Sequence, residues 1–140
     1  MGTGWRTSKL GDNLQDMSIT IAVQLHNFQH RFNWMLSSLV GQVDSPQLVF
    51  DVVSLPNNGK PTTEAVIQHH RTISSPHLKV KHTVWNDPDV FQYRGNVRNK
   101  QIQECETDWM IFADCDMVYH PEFFKNLLDE CEANHYNASY

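Results

Sequence analysis

The chain begins with sixteen polar, glycine-rich residues that lack periodicity, MGTGWRTSKLGDNLQD, and then alternates short apolar runs with longer amphipathic stretches. SITIAVQL (18–25) is β-branched and apolar, long enough for a buried strand and short for a helix. Phe32, Met35, Leu36, Leu39 and Val40 follow at i, i+3, i+4, i+7 and i+8, the stripe of an amphipathic helix. QLVFDVVS (47–54) predicts a second buried strand, stopped by the turn cluster Leu55-Pro56-Asn57-Asn58-Gly59. A weaker helical pattern covers 62–73 and ends before Ser74-Ser75-Pro76. LKVKHTVW (78–85) alternates strictly, as a half-exposed strand does. A loop is expected over 86–93, a helix over 94–106 and a short strand over 109–113. Pro121 is expected to open a last helix, with Phe123, Phe124, Leu127, Leu128 and Cys131 on one face.

This βαβαβαβα order predicts an α/β fold, a parallel sheet with helices on both faces. Ligands of such sheets bind beyond the carboxyl ends of the strands, which places the informative residues just after positions 25, 54, 85 and 113. The expected organisation is a flexible arm (1–16), one α/β domain (17–133) and a polar tail (134–140).

Composition narrows the classes. Hydrophobic residues are 40% and charged residues 19%, an ordinary globular balance that argues against a disordered or collagen-like chain. The net charge of −5 is uneven: residues 1–103 hold ten Lys/Arg against seven Asp/Glu, whereas 104–140 hold one Lys against nine Asp/Glu. With no basic stripe to neutralise phosphates, nucleic acid is not an expected partner. No apolar run approaches the ~18 residues of a transmembrane segment, and no signal-peptide core precedes Ser18. Arg6 also breaks the myristoylation pattern. Three cysteines (Cys105, Cys115, Cys131) without metal-type pairing fit a reducing compartment, so a cytoplasmic location is expected. The eight histidines are scattered, with His69-His70 on a helix and no spaced partner for a zinc site.

The strongest chemical signal is MIFADCDM (110–117), where four apolar residues deliver Asp114 and Asp116 to a strand end. Hard divalent cations such as Mg²⁺ or Mn²⁺ take oxygen ligands and share them with substrate phosphates. The alternative is a pair of turn-forming aspartates ahead of Pro121. A second signal is YRGNVRN (93–99) at a helix start. Gly95 allows close backbone approach, helix N-terminal amides favour anions, and Arg98 offers a planar fork for carbonyl or phosphate oxygens. Arg94 and Arg98 also read as ordinary surface residues. The third is Leu25-His26-Asn27 after the first strand, where an Asn amide could read a base edge and a plain strand-to-helix turn is the competing reading.

In order, ITIAVQLHNF, VVSLPNNG, RGNVRN and MIFADCDMVYHPEFF resemble the nucleotide-sugar-binding half of GT-A fold glycosyltransferases, in particular family two, over residues 18 to about 132. The resemblance implies a nucleotide-diphospho-sugar transferase fold, Rossmann-like, and transfer of a sugar to a glycan or other hydroxyl acceptor with a divalent cation, Mn²⁺ or Mg²⁺. It implies Asp116 as the main metal ligand, and Asp114 as a contact to the ribose or to metal-bound water. It further implies Asn27 at the base or ribose, with Leu25 and His26 beside it, and Arg98 near the base edge with Gly95. The family's second-strand Asp, a base contact, falls near position 54, which here is Ser54; Asp51 lies inside the apolar run and is a poor substitute. UDP-sugars are favoured on family grounds, with GDP-sugars as the other option.

Family members continue well beyond this motif to supply the acceptor site and a carboxylate general base, whereas 24 residues follow Asp116. Most of the acceptor half is therefore expected to be missing, and the general base is not identified. Glu130 and Glu132 read as solvated charges on a helix with an apolar opposite face, and the Asn137-Ala138-Ser139 sequon as incidental. The implied chemistry is direct, inverting displacement at the anomeric carbon. Two other classes remain open at this level. One is a non-catalytic nucleotide-sugar-binding or interaction module. The other is a haloacid-dehalogenase-type phosphatase, with Asp114 as nucleophile and Asp116 as acid/base, although its motif follows a first strand.

Overall fold

The protein is described here by a computed structural model covering residues 17–25, 29–55, 63–72, 75–86 and 94–133. The expected arm, the polar tail, the 56–59 turn and most of the 86–93 loop lie outside the described residues. The elements run β1 (Ser18–Leu25), α1 (Gln29–Val40), β2 (Gln47–Ser54), α2 (Thr63–Thr72), β3 (Leu78–Val84), α3 (Arg94–Glu104), β4 (Trp109–Ala113) and α4 (Phe123–Ala133).

The four strands form one parallel sheet in the order β3-β2-β1-β4. Partner residues across a parallel pair point to the same face, so the registers assign the two faces. Ile19, Leu48, Leu78 and Trp109 are aligned on one face, as are Ile21, Phe50, Val80 and Ile111. That face carries the main core, where α1 contributes Phe32, Met35, Leu36 and Leu39, α2 contributes Ile67, and α4 contributes Phe124 and Leu128. Phe32 stacks on Phe50 with centroids 5.5 Å apart. Both rings are fully buried, and truncating either to Ala costs about 3–5 kcal/mol.

The opposite face is narrower and more polar, with Thr20, Ala22, Val49, Asp51, Lys81 and Phe112 under α3. There α3 buries Val97 and Gln101, and Gln101 Nε2 donates to the carbonyls of Asp51 (3.1 Å) and Val23 (3.4 Å). Helices therefore cover both faces, as alternation predicts. Successive crossovers build outward from β1 through β2 to β3, and the chain then returns across the other face to place β4 on the far side of β1. The connection reverses between β1 and β4, which makes the carboxyl ends of those two strands the topological switch point.

Three expectations shift in detail. β3 is an edge strand whose residues are mostly half-buried on both faces, so the alternation of Lys79 and Lys81 reflects the edge more than a clean inside and outside. The 94–106 helix stops at Glu104, where Cys105 N bonds to Ile102 O and tightens the turn. Pro121 lies two residues ahead of α4: Phe123 N bonds to His120 O, and the regular helix starts only there.

Candidate functional site

The site is built from the strand ends. In β1 and β4, Val23 pairs with Ala113, so Asp114 leaves the sheet level with Gln24, just before β1 itself ends at Leu25. Two side chains of Asp114-Cys115-Asp116 are exposed, those of Asp114 and Asp116, whereas Cys115 is half-buried against the core. Burial and the flanking Asp116 and Asp114 charges push the Cys115 thiol above its ordinary value, which suits a packing residue and not a nucleophile. The aspartates thus turn outward at the switch point while the cysteine between them anchors the turn.

The segment beyond the turn is clamped to α1. Ser38 Oγ accepts from Tyr119 N at 3.1 Å and donates to Met35 O. Gln42, buried just past the end of α1, donates through Nε2 to His120 O (2.7 Å) and to Ser38 O. Its Oε1 accepts from Phe124 N at 3.2 Å, satisfying one of the unpaired amides that begin α4. Val43 N adds a bond to Pro121 O at 2.7 Å. Tyr119 packs between Phe123 and Phe124 with both centroids at 5.0 Å. Burial, with a contribution from Asp114, pushes its hydroxyl up to about 12. At the other end of α1, Arg31 Nη1 stands 3.8 Å from Asp116 Oδ2.

The remaining sequence-predicted residues are placed unequally. Leu25 pairs with Ser54 across β1 and β2, so both reach the strand ends. Leu25 is buried in the core, which leaves its backbone as the part that can face a ligand. Ser54 is also buried, and its Oγ lies 2.7 Å from His82 Nε2 on β3. Asp51 is on the opposite face, three residues or roughly 10 Å back from the strand end, and it is buried there. It does not replace a strand-end carboxylate. Arg98 lies over the Phe112 ring on the α3 face, its guanidinium carbon 5.0 Å from the ring centroid, a cation–π contact. Among the described residues, its own helix backbone and chain neighbours aside, no heavy atom comes within 4 Å of where a Cβ on Gly95 would sit, so their packing does not demand glycine there. His26 and Asn27 lie outside the described residues.

Arg31, Ser38, Gln42 and His82 were not singled out from sequence. Each acts through a partner 28 or more residues away, apart from short local bonds, and only the register of α1 and β3 could have pointed to them.

Asp114 and Asp116 suit a divalent cation of the Mg²⁺ class, which takes one or two carboxylates and completes its shell with phosphates and water. They do not form an all-protein cage, since among the described residues no group of three His, Cys, Asp or Glu could hold a metal ion. His70 is a core residue: its Nε2 donates to Asn33 Oδ1 at 2.7 Å, and among the described residues its buried Nδ1 meets no hydrogen-bond partner. Among the described residues no helix is long and apolar enough to cross a membrane.

The comparisons with known proteins agree with this fold. S. aureus TarS superposes with a TM-score of 0.65 at 22% identity, over 85% of this chain and 20% of that one. TarS 1-349 in complex with UDP gives 0.64 at 22% identity, covering 85% of this chain and 33% of that one. TarS 1-349 in complex with UDP-GlcNAc gives 0.63 at 23% identity, with 85% and 32% covered. The chain spans a fifth to a third of these structures, a partial GT-A arrangement. No curated protein sequence matches it. Among the described residues three strands precede β4, the strand that delivers Asp114, which leaves the phosphatase reading without its first-strand motif. The family model for glycosyl transferase family 2 matches residues 20–140, and the chain belongs to that family.

Proposed function

We propose that this chain supplies the donor and metal site of an inverting glycosyltransferase that uses a nucleoside-diphosphate sugar, UDP-sugars first and GDP-sugars second. The observation that carries the reading is the exposed pair Asp114 and Asp116 at the switch point of a family-two sheet. UDP and UDP-GlcNAc in complex with TarS 1-349 support the choice of nucleotide. Asp116 and Asp114 hold Mn²⁺ or Mg²⁺, and when bound the cation neutralises charge on the diphosphate leaving group as a Lewis acid. The α3 start, with Gly95 and Arg98, flanks the nucleoside, and Asn27 with Leu25 and His26 lines the end of β1. A hydroxyl acceptor attacks the anomeric carbon, its proton taken by a carboxylate outside the residues assigned here.

Thermal shift with UDP, GDP, ADP and CMP, each with and without Mn²⁺, tests the reading. A ligand at ~100 times its Kd adds about 2.7 kcal/mol, several degrees for a domain of this size. A shift by one nucleoside diphosphate only with Mn²⁺, lost in Asp116→Asn, is the expected result. A shift that survives in Asp116→Asn sinks the metal assignment, and no shift with any nucleotide sinks the donor reading.

A second reading, a module that binds donor without turnover, is favoured by one observation. Ser54 stands at the strand end where the family resemblance puts a carboxylate that contacts the base. Donor hydrolysis or transfer to supplied sugar acceptors separates the two.

A further inference from the structure

The ion pair between Arg31 and Asp116 is unusual in its placement. Arg31 stands in the first turn of α1, directly after the end of β1, and its Nη1 approaches Asp116 Oδ2 at 3.8 Å with both side chains about half exposed. At this distance the pair is an electrostatic contact without the short parallel bonds of a guanidinium–carboxylate fork, and exposed pairs of that kind hold weakly. Lys81 and Lys100 pair with Glu104, and the Arg98 guanidinium lies over the Phe112 ring.

We propose that Arg31 is a diphosphate ligand, held on Asp116 until the donor binds and then transferred to the phosphate oxygens of the leaving group. This rests on the donor reading above, in which Asp116 carries the cation. A Mg²⁺-type ion keeps its oxygen ligands at about 2.0–2.1 Å, so oxygens that share it lie about 3 Å from one another. Diphosphate oxygens on that ion therefore sit beside the Asp116 carboxylate oxygens that Arg31 already approaches. With a cation on Asp116 the guanidinium would lose its hold there, and a diphosphate would offer paired oxygens that its planar fork matches bidentately. A change of side-chain rotamer is enough for the exchange. Arg31 then opposes cation binding to the empty site and favours cation and diphosphate together.

The test is calorimetric binding of UDP, of uridine and of Mn²⁺ alone to the full chain and to Arg31→Gln, Arg31→Lys and Asp116→Asn. Because Arg31 is exposed, its variants are expected to fold with Tm close to the parent, which the same samples report. Arg31→Gln is expected to weaken UDP in the presence of Mn²⁺ by about tenfold. Uridine is expected to stay within twofold and Mn²⁺ alone to bind no more weakly. Arg31→Lys is expected to fall between, keeping charge without the fork. UDP affinity unchanged in Arg31→Gln, an equal loss for uridine and UDP, or weaker binding of Mn²⁺ alone each overturns the proposal. Asp116→Asn keeps the two failures apart: if it retains Mn²⁺-dependent UDP binding, the metal assignment fails, whatever Arg31→Gln does.

Discussion

Ser54 and His82 meet across the carboxyl ends of β2 and β3, with Ser54 Oγ 2.7 Å from His82 Nε2. A hydroxyl can donate or accept, so whichever tautomer His82 adopts, Ser54 retains a complementary group. Ser54 stands at the position where the family resemblance leads one to expect a carboxylate. Ser54→Ala removes the bond of a buried hydroxyl to a half-buried partner and is expected to cost about 1 kcal/mol, lowering Tm by a few degrees. The UDP-to-GDP affinity ratio of this variant reports whether the hydroxyl touches the base. An unchanged ratio removes Ser54 from the nucleotide site and leaves it a structural tie between strands.

Gln42 is the clasp between α1 and the segment after the aspartates. Gln42→Ala strands His120 O and Phe124 N, partners it holds at 2.7 and 3.2 Å. Losing a buried amide of this kind is expected to cost about 2–3 kcal/mol. Chemical denaturation should show that loss, and Mn²⁺-dependent UDP binding should weaken with it even where the fold persists. A loss under 0.5 kcal/mol on the ordinary scale of surface changes would remove Gln42 from this role.

Gly95 separates folding from binding. With open space where its Cβ would be and an exposed position in the first turn of α3, Gly95→Ala is expected to raise stability, by at most about 0.5–1 kcal/mol. If the nucleotide approaches this backbone, the same methyl weakens UDP binding. A variant that is more stable and binds UDP as before shows that the glycine is not part of the site.

Two buried groups give opposite pH signs. Burial pushes the Asp51 carboxyl above 3.8, Lys81 draws it back and Glu104 adds to the rise. A raised folded value means that stability falls as pH rises from 3.8 through that value, and the penalty persists at neutral pH. Asp51→Asn is therefore expected to be more stable than the parent at pH 7, with the gap narrowing toward pH 4. A gap independent of pH in urea melts counts against it.

For His70 the sign reverses. Burial, with the neighbouring His69, holds the imidazole below 6.5, so the folded chain keeps it neutral. As pH falls below 6.5 the unfolded chain takes up a proton that the folded chain refuses, and stability drops. His70→Gln, able to donate to Asn33 in turn, is expected to flatten the decline between pH 7 and 5. An unaltered slope would assign the acid sensitivity to other groups.

The strands were legible because they are short apolar runs with clear stops. SITIAVQL, QLVFDVVS and WMIFA fill β1, β2 and β4 end to end. Helix phase was legible for the same reason, and four of the five apolar positions assigned to the α1 stripe, Phe32, Met35, Leu36 and Leu39, are fully buried. Helix ends were less so, because the α4 start depends on bonds from His120 and Gln42 that local propensity does not encode. The outward turn of Asp114 and Asp116 followed from a strand end facing a crevice. Their environment did not: the contact with Arg31 and the clamp through Ser38 and Gln42 join residues about 80 positions apart. Ser54 was placed at its strand end, whereas its enclosure by His82 depends on the β2–β3 register.

One helix touches the aspartate turn at both of its ends. Arg31 reaches Asp116 from the first turn of α1, and Gln42 grips the outgoing segment just past its last. Eleven residues of helical rise set those two anchors roughly 16 Å apart, so α1 acts as a gauge for the opening of the site. Substitutions on its exposed side, at Ser37 for example, leave the gauge intact. Deleting one residue there would shorten it by about 1.5 Å and turn one anchor about 100° away from the other. In this protein the spacing of a helix sets how far Arg31 stands from the clasp that holds the segment after the carboxylates.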